Sequence, residues 1–348
     1  MMFDKQNIAY YIIGAATIFL TSIAVNKWRE SIDANTDENE MIRKYLLNDS
    51  PLYGYNRPKL WIHTKYEINA RKWKDFYSRN TTDLNEPYLH LTIKTIVDHC
   101  AEDFHVCLID DQSFSKLLPT WDIDLSQMAE PMRTNMREVA LTQLLYFYGG
   151  MVVPNSFLCM KNLRAMYDEG IAGGRPFVCE NVNRTMNLVK QKHKMLFVPD
   201  LYIMGAAKND ATVLELLEYL KKRNWSSHFS AEAGFLGDSS QWCVDAVNAQ
   251  KMNLVGGEMV GVKTNGRKTI LVEDLMEEGY LDLHKNAVGI YIPNDEILKR
   301  PKYQWFAVLP AQQVLESRMI VSKYLMASIA DTTDEYHKKT QIKSVVEI

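Results

Sequence analysis

The chain has 348 residues, 47% of them hydrophobic and 24% charged, with a formal net charge of −3. A chain of this length buries a substantial core, and its balanced, slightly acidic charge argues against a nucleic-acid partner. Five scattered cysteines (Cys100, Cys107, Cys159, Cys179 and Cys243) include no C-x-x-C pair. That pattern argues against a disulfide framework or a structural zinc site and predicts buried, reduced thiols.

Residues 6–26 carry no charge. Such a stretch spans roughly 30 Å as a helix, enough for one bilayer crossing, and Tyr10, Tyr11 and Trp28 are placed to sit at the interfaces. The start, MMFDKQN, holds one lysine and one aspartate and lacks the basic start of a cleaved signal. The pattern therefore predicts a single, retained membrane helix within residues 1–28; a buried helix of a soluble core is the competing reading. Lys5 precedes the segment, and Lys27 and Arg29 follow it. This slight bias does not favour a lumenal body. Four Asn-x-Ser/Thr triplets, at Asn48, Asn80, Asn183 and Asn224, are too common in such a composition to locate anything.

A polar connector follows over 29–57, then a globular body over 58–330. KLWIHT, Lys59 to Thr64, reads as a first strand and Tyr88 to His99 as a helix. Phe104 to Ile109 reads as a second strand, ending in Asp110-Asp111. This β-α-β order predicts a mostly parallel sheet with crossover helices, an α/β fold. Acids at a strand's carboxyl end either face a ligand or cap the next helix. Asp122-Ile123-Asp124 is a literal D-x-D in a turn, where N-capping explains it best. From Arg137 the apolar spacing predicts a helix through Tyr148, then a sharp corner at Gly149-Gly150. A strand over Met151 to Val153 and a turn at Pro154-Asn155-Ser156 complete the unit.

A helix is predicted over Leu163 to Glu169 and a strand over Pro176 to Cys179. Lys190, Lys192 and Lys194 form a cluster that either contacts phosphate or is a solvated face. A strand is predicted over Leu196 to Met204, with Pro199 implying a bulge or an edge, and a helix over Thr212 to Lys222. Glu258 to Val272 reads as a hairpin about Asn265-Gly266. Ala311 to Ile329 reads as one helix, followed by a polar tail over 331–348.

The string L-L-Y-F-Y-G-G and the helix–corner–strand–loop around it resemble the core of DXD-type glycosyltransferases of the GT-A fold. The nearest likeness is to the capsular-polysaccharide-synthesis and initiating-mannosyltransferase-like families. Pro58, Lys59, Ile62 and His63 are similar to the family's first strand, and the resemblance extends over roughly residues 58–225. It implies a GT-A-like sheet and a nucleotide-sugar site, here degenerate. The family's nucleotide-holding aspartate falls on Glu138, its arginine on Leu141, and its two metal-binding aspartates on Pro154 and Ser156. His63, Glu138, Leu141, Gly149, Gly150 and Asn155 would be what is left of a nucleotide site, although His63 reads equally well as a hydrogen-bonded core histidine. His284, late in the globular body, is the candidate for the metal-ligating histidine that many such enzymes supply. A divalent ion on a nucleotide diphosphate needs hard anionic oxygens; proline offers none and serine a neutral one.

The resemblance thus implies no metal and no cofactor. Together with the uncharged segment, the missing acids lead to the expectation of a membrane-anchored, non-catalytic glycosyltransferase-like subunit, tethered through residues 6–26 and assembled with other protein subunits in a membrane complex, with the mitochondrial inner membrane placed ahead of the Golgi. The alternative is an active, metal-independent nucleotide-sugar transferase of the secretory pathway, using lysines and Ser156 or Asn155; Mn²⁺ or Mg²⁺ with a nucleotide sugar would enter only there.

Overall fold

The computed structural model describes residues 57–64, 86–119, 121–181, 197–226 and 232–330. The predicted membrane helix, nearly all of the connector, Lys190, Lys192, Lys194 and the polar tail lie outside the described residues. Among the described residues no helix is long and apolar enough to cross a membrane.

Strand β1 (Lys59–His63) lies inside the sheet, and its Leu60, Trp61 and Ile62 are fully buried. A run with no polar alternation suits a strand covered on both faces. β1 pairs in parallel with β2 (His105–Ile109) on one side and with β3 (Gly150–Pro154) on the other. Helix α1 (Tyr88–Cys100) lies between β1 and β2 in sequence; α2 (Ser113–Leu117) and α3 (Met132–Tyr148) lie between β2 and β3. After β4 (Phe157–Cys159) and α4 (Arg164–Gly170) come β5 (Phe177–Glu180), β6 (Pro199–Ala206), α5 (Ala211–Ser226), α6 (Glu232–Asn248) and β7 (Asn253–Val255). The described strands form a six-stranded sheet in the order β2-β1-β3-β6-β5-β7. Only β6 runs against its neighbours, so the sheet is mostly parallel, as the β-α-β order predicts.

One face of this sheet supplies Trp61, Cys107, Ile109, Val152 and Met204 to a core shared with Leu144 and Leu145 of α3, Leu216, Leu217 and Leu220 of α5 and Cys243 of α6. A second core forms around the two-stranded antiparallel sheet of β4 and β8 (Gly289–Tyr291). There Tyr88 of α1, Leu158 and Ile290 pack with Phe306, Val321 and Leu325.

The glycine corner is where the sequence reading said it would be. Gly149 and Gly150 have φ of 69° and 97°, a region that side chains with a Cβ avoid. A Cβ on Gly150 would lie 2.1 Å from the Lys59 carbonyl oxygen, so β3 meets β1 at this point only because the side chain is missing. Trp61 Nε1 donates to the Gly149 carbonyl at 3.0 Å, tying the same corner to β1 from inside the core.

Three expectations need correction. The hairpin over Glu258 to Val272 is shorter than expected: the turn about Asn265-Gly266 carries an isolated antiparallel bridge between Lys263 and Thr269, with Thr264 N on the Lys268 carbonyl at 2.8 Å and Ile270 N on the Val262 carbonyl at 2.9 Å, but no extended strands. The segment also hydrogen-bonds to the β8 region, through Val288 N to the Met259 carbonyl at 2.8 Å and Tyr291 N to the Val260 carbonyl at 3.0 Å. The helix over Ala311 to Ile329 is broken into α9 (Ala311–Glu316) and a helix over 320–330, because Ser317 is extended and Ile320 N donates to the Glu277 carbonyl at 2.8 Å. (A short helix α7, Val272–Met276, precedes β8, and α8, Asn294–Lys299, follows it.) The strand predicted over Leu196 to Met204 is found as β6, which starts three residues later, at Pro199, where no ladder N–H is needed; the irregularity that Pro199 implied is on β6, since Val178 pairs with Met204 and Cys179 with Asp200, leaving Leu201 to Ile203 as the extra residues.

Replacing Gly150 by alanine is expected to cost more than about 3 kcal/mol, since both the dihedral and the Lys59 carbonyl oppose the methyl group. Gly174→Ala is the matched control: it shares a positive φ but has nothing within 4 Å of the added Cβ, so it should cost only about 1–2 kcal/mol. Denaturant unfolding of the two variants measures the difference.

Candidate functional site

In an open α/β sheet, a crevice forms at the carboxyl ends of the strands where the strand order changes direction. Here the strand following β1 in sequence lies on one side of it and β3 on the other, so that point is the junction of β1 and β3. His63 ends β1, in register with Ile109 of β2 and Pro154 of β3. Because β6 is reversed, its first residues share this edge. In strand order the edge therefore carries Asp110 and Asp111, His63, the Pro154–Ser156 turn, Asp200, and Glu180 with Asn181.

The two acids after β2 have separate roles. Asp110 is a cap: its Oδ1 accepts from Ser113 N at 2.8 Å and from Ser113 Oγ at 2.7 Å. Asp111 is clasped by two basic side chains. Arg137 of α3 donates from Nε at 2.9 Å and from Nη2 at 2.7 Å in a bidentate pair, and His63 Nε2 lies 2.9 Å from Oδ1. The side chains of His63 and Arg137 are each 8% exposed, and that of Asp111 is 28% exposed. The His63 ring stacks on Phe114 of α2 at 5.4 Å between centroids. Burial by itself would raise the Asp111 carboxyl, but the hydrogen bonds from His63 and Arg137 and their positive charge outweigh it and hold the group well below the usual carboxylate range.

The turn at the end of β3 is a structural junction. Asn155 and Ser156 are buried, Ser156 completely. The Asn155 carbonyl accepts from Thr92 Oγ1 of α1 at 2.5 Å, and the Ser156 carbonyl accepts from Ile292 N at 3.2 Å. This turn does not fit a divalent ion. Pro154 has no side-chain oxygen and the next two side chains are covered; of the strand-end acids, Asp111 already has its oxygens on Arg137 and His63, and Asp200 accepts from Tyr202 N at 3.3 Å and from Asn181 Nδ2 at 3.4 Å. Among the described residues no group of three or more His, Cys, Asp or Glu side chains is arranged to hold a metal.

The remaining sequence candidates scatter. Glu138 points to the interior side of α3: with Asp200 it lies close enough to Cys243 to add to the upward push that burial gives that thiol. Leu141 packs at the margin of the main core, and Gly149 and Gly150 form the corner already described. Asp124 caps the 3-10 turn Leu125–Gln127, as its position predicted. His284 accepts from Asn286 N at 3.3 Å within its own turn. Two residues that sequence reasoning passed over matter more. Arg137 is one helical turn before Leu141 on the same face of α3, so a cation does reach the edge from this helix. Lys263 reaches the edge from the loop after β7 and pairs with Glu180 at 2.5 Å, whose other oxygen accepts from Gly257 N at 3.2 Å. A basic residue at i−4 from the expected arginine was the available signal for Arg137; Lys263 had none, since it was read as part of a hairpin.

No family model matches the chain, and no curated protein matches it. Solved structures similar to it include two glycosyltransferases. One is described as PaToxG glycosyltransferase, with 12% identity over 64% of this chain and 82% of that one, at a TM-score of 0.33. The other is mouse xyloside xylosyltransferase 1 in its apo form, with 11% identity over 57% of this chain and 84% of that one, at a TM-score of 0.33. Likeness at this level assigns no activity and no residue roles.

The Asp111 clasp makes stability depend on acid. Its carboxyl titrates lower in the folded chain than in the unfolded one, so in acid the unfolded state binds more protons. The stabilisation is present above the ordinary carboxylate range and is lost as pH falls through the folded value. Asp111→Asn should cost about 3 kcal/mol at neutral pH, by leaving Arg137 without its main partner, and should flatten the fall in melting temperature between about pH 5 and pH 2. A pH series of thermal melts on both chains checks this.

Proposed function

We propose that this chain is a glycosyltransferase-fold protein that does not perform metal-dependent sugar transfer and works as a non-catalytic subunit of a membrane assembly. The observation that carries the reading is the fate of the acids at the carboxyl edge. Where the resemblance calls for a metal-binding pair there are Pro154 and Ser156, in a turn engaged by Thr92 and Ile292. Of the strand-end acids, Asp111 is engaged by Arg137 and His63, and Asp200 accepts from Tyr202 N and Asn181 Nδ2. A divalent ion would have to displace a bidentate guanidinium to obtain one carboxylate, and one carboxylate is a poor site for a hard cation that also carries a diphosphate. The tether is residues 6–26, the partners are other subunits of the same membrane complex, and the mitochondrial inner membrane is proposed ahead of the Golgi.

A second reading rests on Arg137 and Lys263, two cations on the same edge. In a metal-independent transferase such groups would neutralise the leaving diphosphate. Both are paired with carboxylates, so a diphosphate would have to compete with Asp111 and Glu180 for them, which places this reading second.

The test is thermal stability of the full-length chain in detergent across UDP- and GDP-sugars, with and without Mn²⁺. A ligand that binds the folded state raises the melting temperature by linkage, by about 2.7 kcal/mol of stability at a hundredfold excess over Kd. No shift is expected. A Mn²⁺-dependent shift would overturn the proposal, and a metal-independent shift abolished by Arg137→Met would install the second reading. In parallel, gentle extraction from native membranes should yield a particle larger than one chain; a monodisperse single-chain particle would remove the subunit role.

A further inference from the structure

All five cysteines are free and buried, but two of them touch. Cys100 Sγ, at the end of α1, lies 3.9 Å from Cys159 Sγ, at the end of β4, and both residues are fully buried. No other two of the five are within sulfur contact. We propose that Cys100 and Cys159 form a latent disulfide that locks α1 to β4, taken up when the chain matures in an oxidising compartment and left open in a reducing one. This rests on neither functional reading above.

The surroundings hold the two thiols in place for it. Along α1, Thr92 Oγ1 donates to the Asn155 carbonyl at 2.5 Å, and Thr95 Oγ1 accepts from Cys159 N at 3.0 Å. From the other side Ser328 Oγ donates to the Cys159 carbonyl at 2.6 Å, and His99 Nε2 lies 3.0 Å from the same hydroxyl. The backbones on both sides of the sulfur pair are thus already fixed. Closure from 3.9 Å to a bond of about 2.05 Å requires the sulfurs to approach by about 1.9 Å, a shift of the size that rotation of two cysteine side chains supplies. Cys159 Sγ also donates to the Lys161 carbonyl at 3.1 Å, a bond that closure gives up; the other three thiols have no second sulfur within contact.

The chemistry balances with a disulfide oxidant such as glutathione disulfide. Two S–H bonds break, one S–S bond forms, and the two electrons and two protons pass to the oxidant, which leaves as two glutathione thiols. Burial, and then the neighbouring Cys100 thiol, hold the Cys159 thiol well above its ordinary value. Thiolate is the attacking species, so the folded chain oxidises slowly and the pair is set during folding or through rare openings. The redox state then records where the body matured. Once formed, the link would close a long loop that contains β2, α3, β3 and the Pro154–Ser156 turn.

The experiment uses the full-length chain in detergent. It is held in a glutathione redox buffer, both as isolated and after urea unfolding and refolding in that buffer. It is then alkylated, digested without reduction and analysed by mass spectrometry. The expected result is one linked peptide pair, Cys100 with Cys159, with Cys107, Cys179 and Cys243 alkylated. The melting temperature should rise on the order of 5–10 °C and fall back on addition of dithiothreitol. Cys100→Ala should give neither the link nor the rise. The proposal is overturned if both cysteines remain singly alkylated after passage through the unfolded state. It is overturned equally if the linkages are scrambled, or if the linked chain melts no higher than the reduced one.

Discussion

At the junction of α3, β1 and β3 the chain turns from helix to strand within two residues, and it does so directly against a neighbouring backbone. Gly149 and Gly150 take dihedrals closed to other residues, and the Lys59 carbonyl occupies the space a Cβ would need. The indole of Trp61 closes the same corner by donating to Gly149. Much else follows from this contact. It sets β3 beside β1 in parallel register, so that His63 and Pro154 end at the same level. It also fixes the direction in which α3 leaves the edge, and so puts Arg137 within reach of Asp111.

That edge is in the right place for a ligand and is furnished differently from a metal site. Its charges neutralise one another: Arg137 and His63 on Asp111, Lys263 on Glu180. Partly buried pairs of this kind are costly to break from one side and give little net stability as a whole. They do hold neighbouring elements in a fixed relation. The Asp111 clasp ties the loop after β2 to α3 and to the end of β1. The Glu180 pair ties β5 to the loop after β7.

The β3–β4 turn is likewise held by internal contacts. Its carbonyls accept from Thr92 and Ile292, and its side chains lie in the interior between the two cores. α1 runs from this turn to the Cys100–Cys159 contact, so the helix that braces the turn also carries one of the two sulfurs.

What the sequence determined by itself was local. Apolar spacing placed α1, α3 and α5, continuous apolar runs placed β1, β2 and β3, and the paired glycines placed the corner, because in each case the residues' own dihedral preferences and burial pattern agree with their surroundings. The absence of carboxylates at Pro154 and Ser156 was also legible, since it depends on residue identity alone. Tertiary structure decided the rest. Glu258 to Val272 has the alternation and the Asn-Gly of a hairpin and keeps the tight turn, yet the carbonyls of Met259 and Val260 accept from the β8 region, so the strands do not extend. Ala311 to Ile329 has helical spacing, yet Ser317 breaks it so that Ile320 can reach Glu277. α6 went unread because its Gly and Ser content is unfavourable for a helix by itself; it is held by packing and by Ser240 Oγ on the Pro199 carbonyl at 2.7 Å. Arg137, Lys263 and the Cys100–Cys159 contact join residues 26, 83 and 59 positions from their partners. No local pattern encodes such pairings; they exist only once the sheet has brought the ends of its strands together.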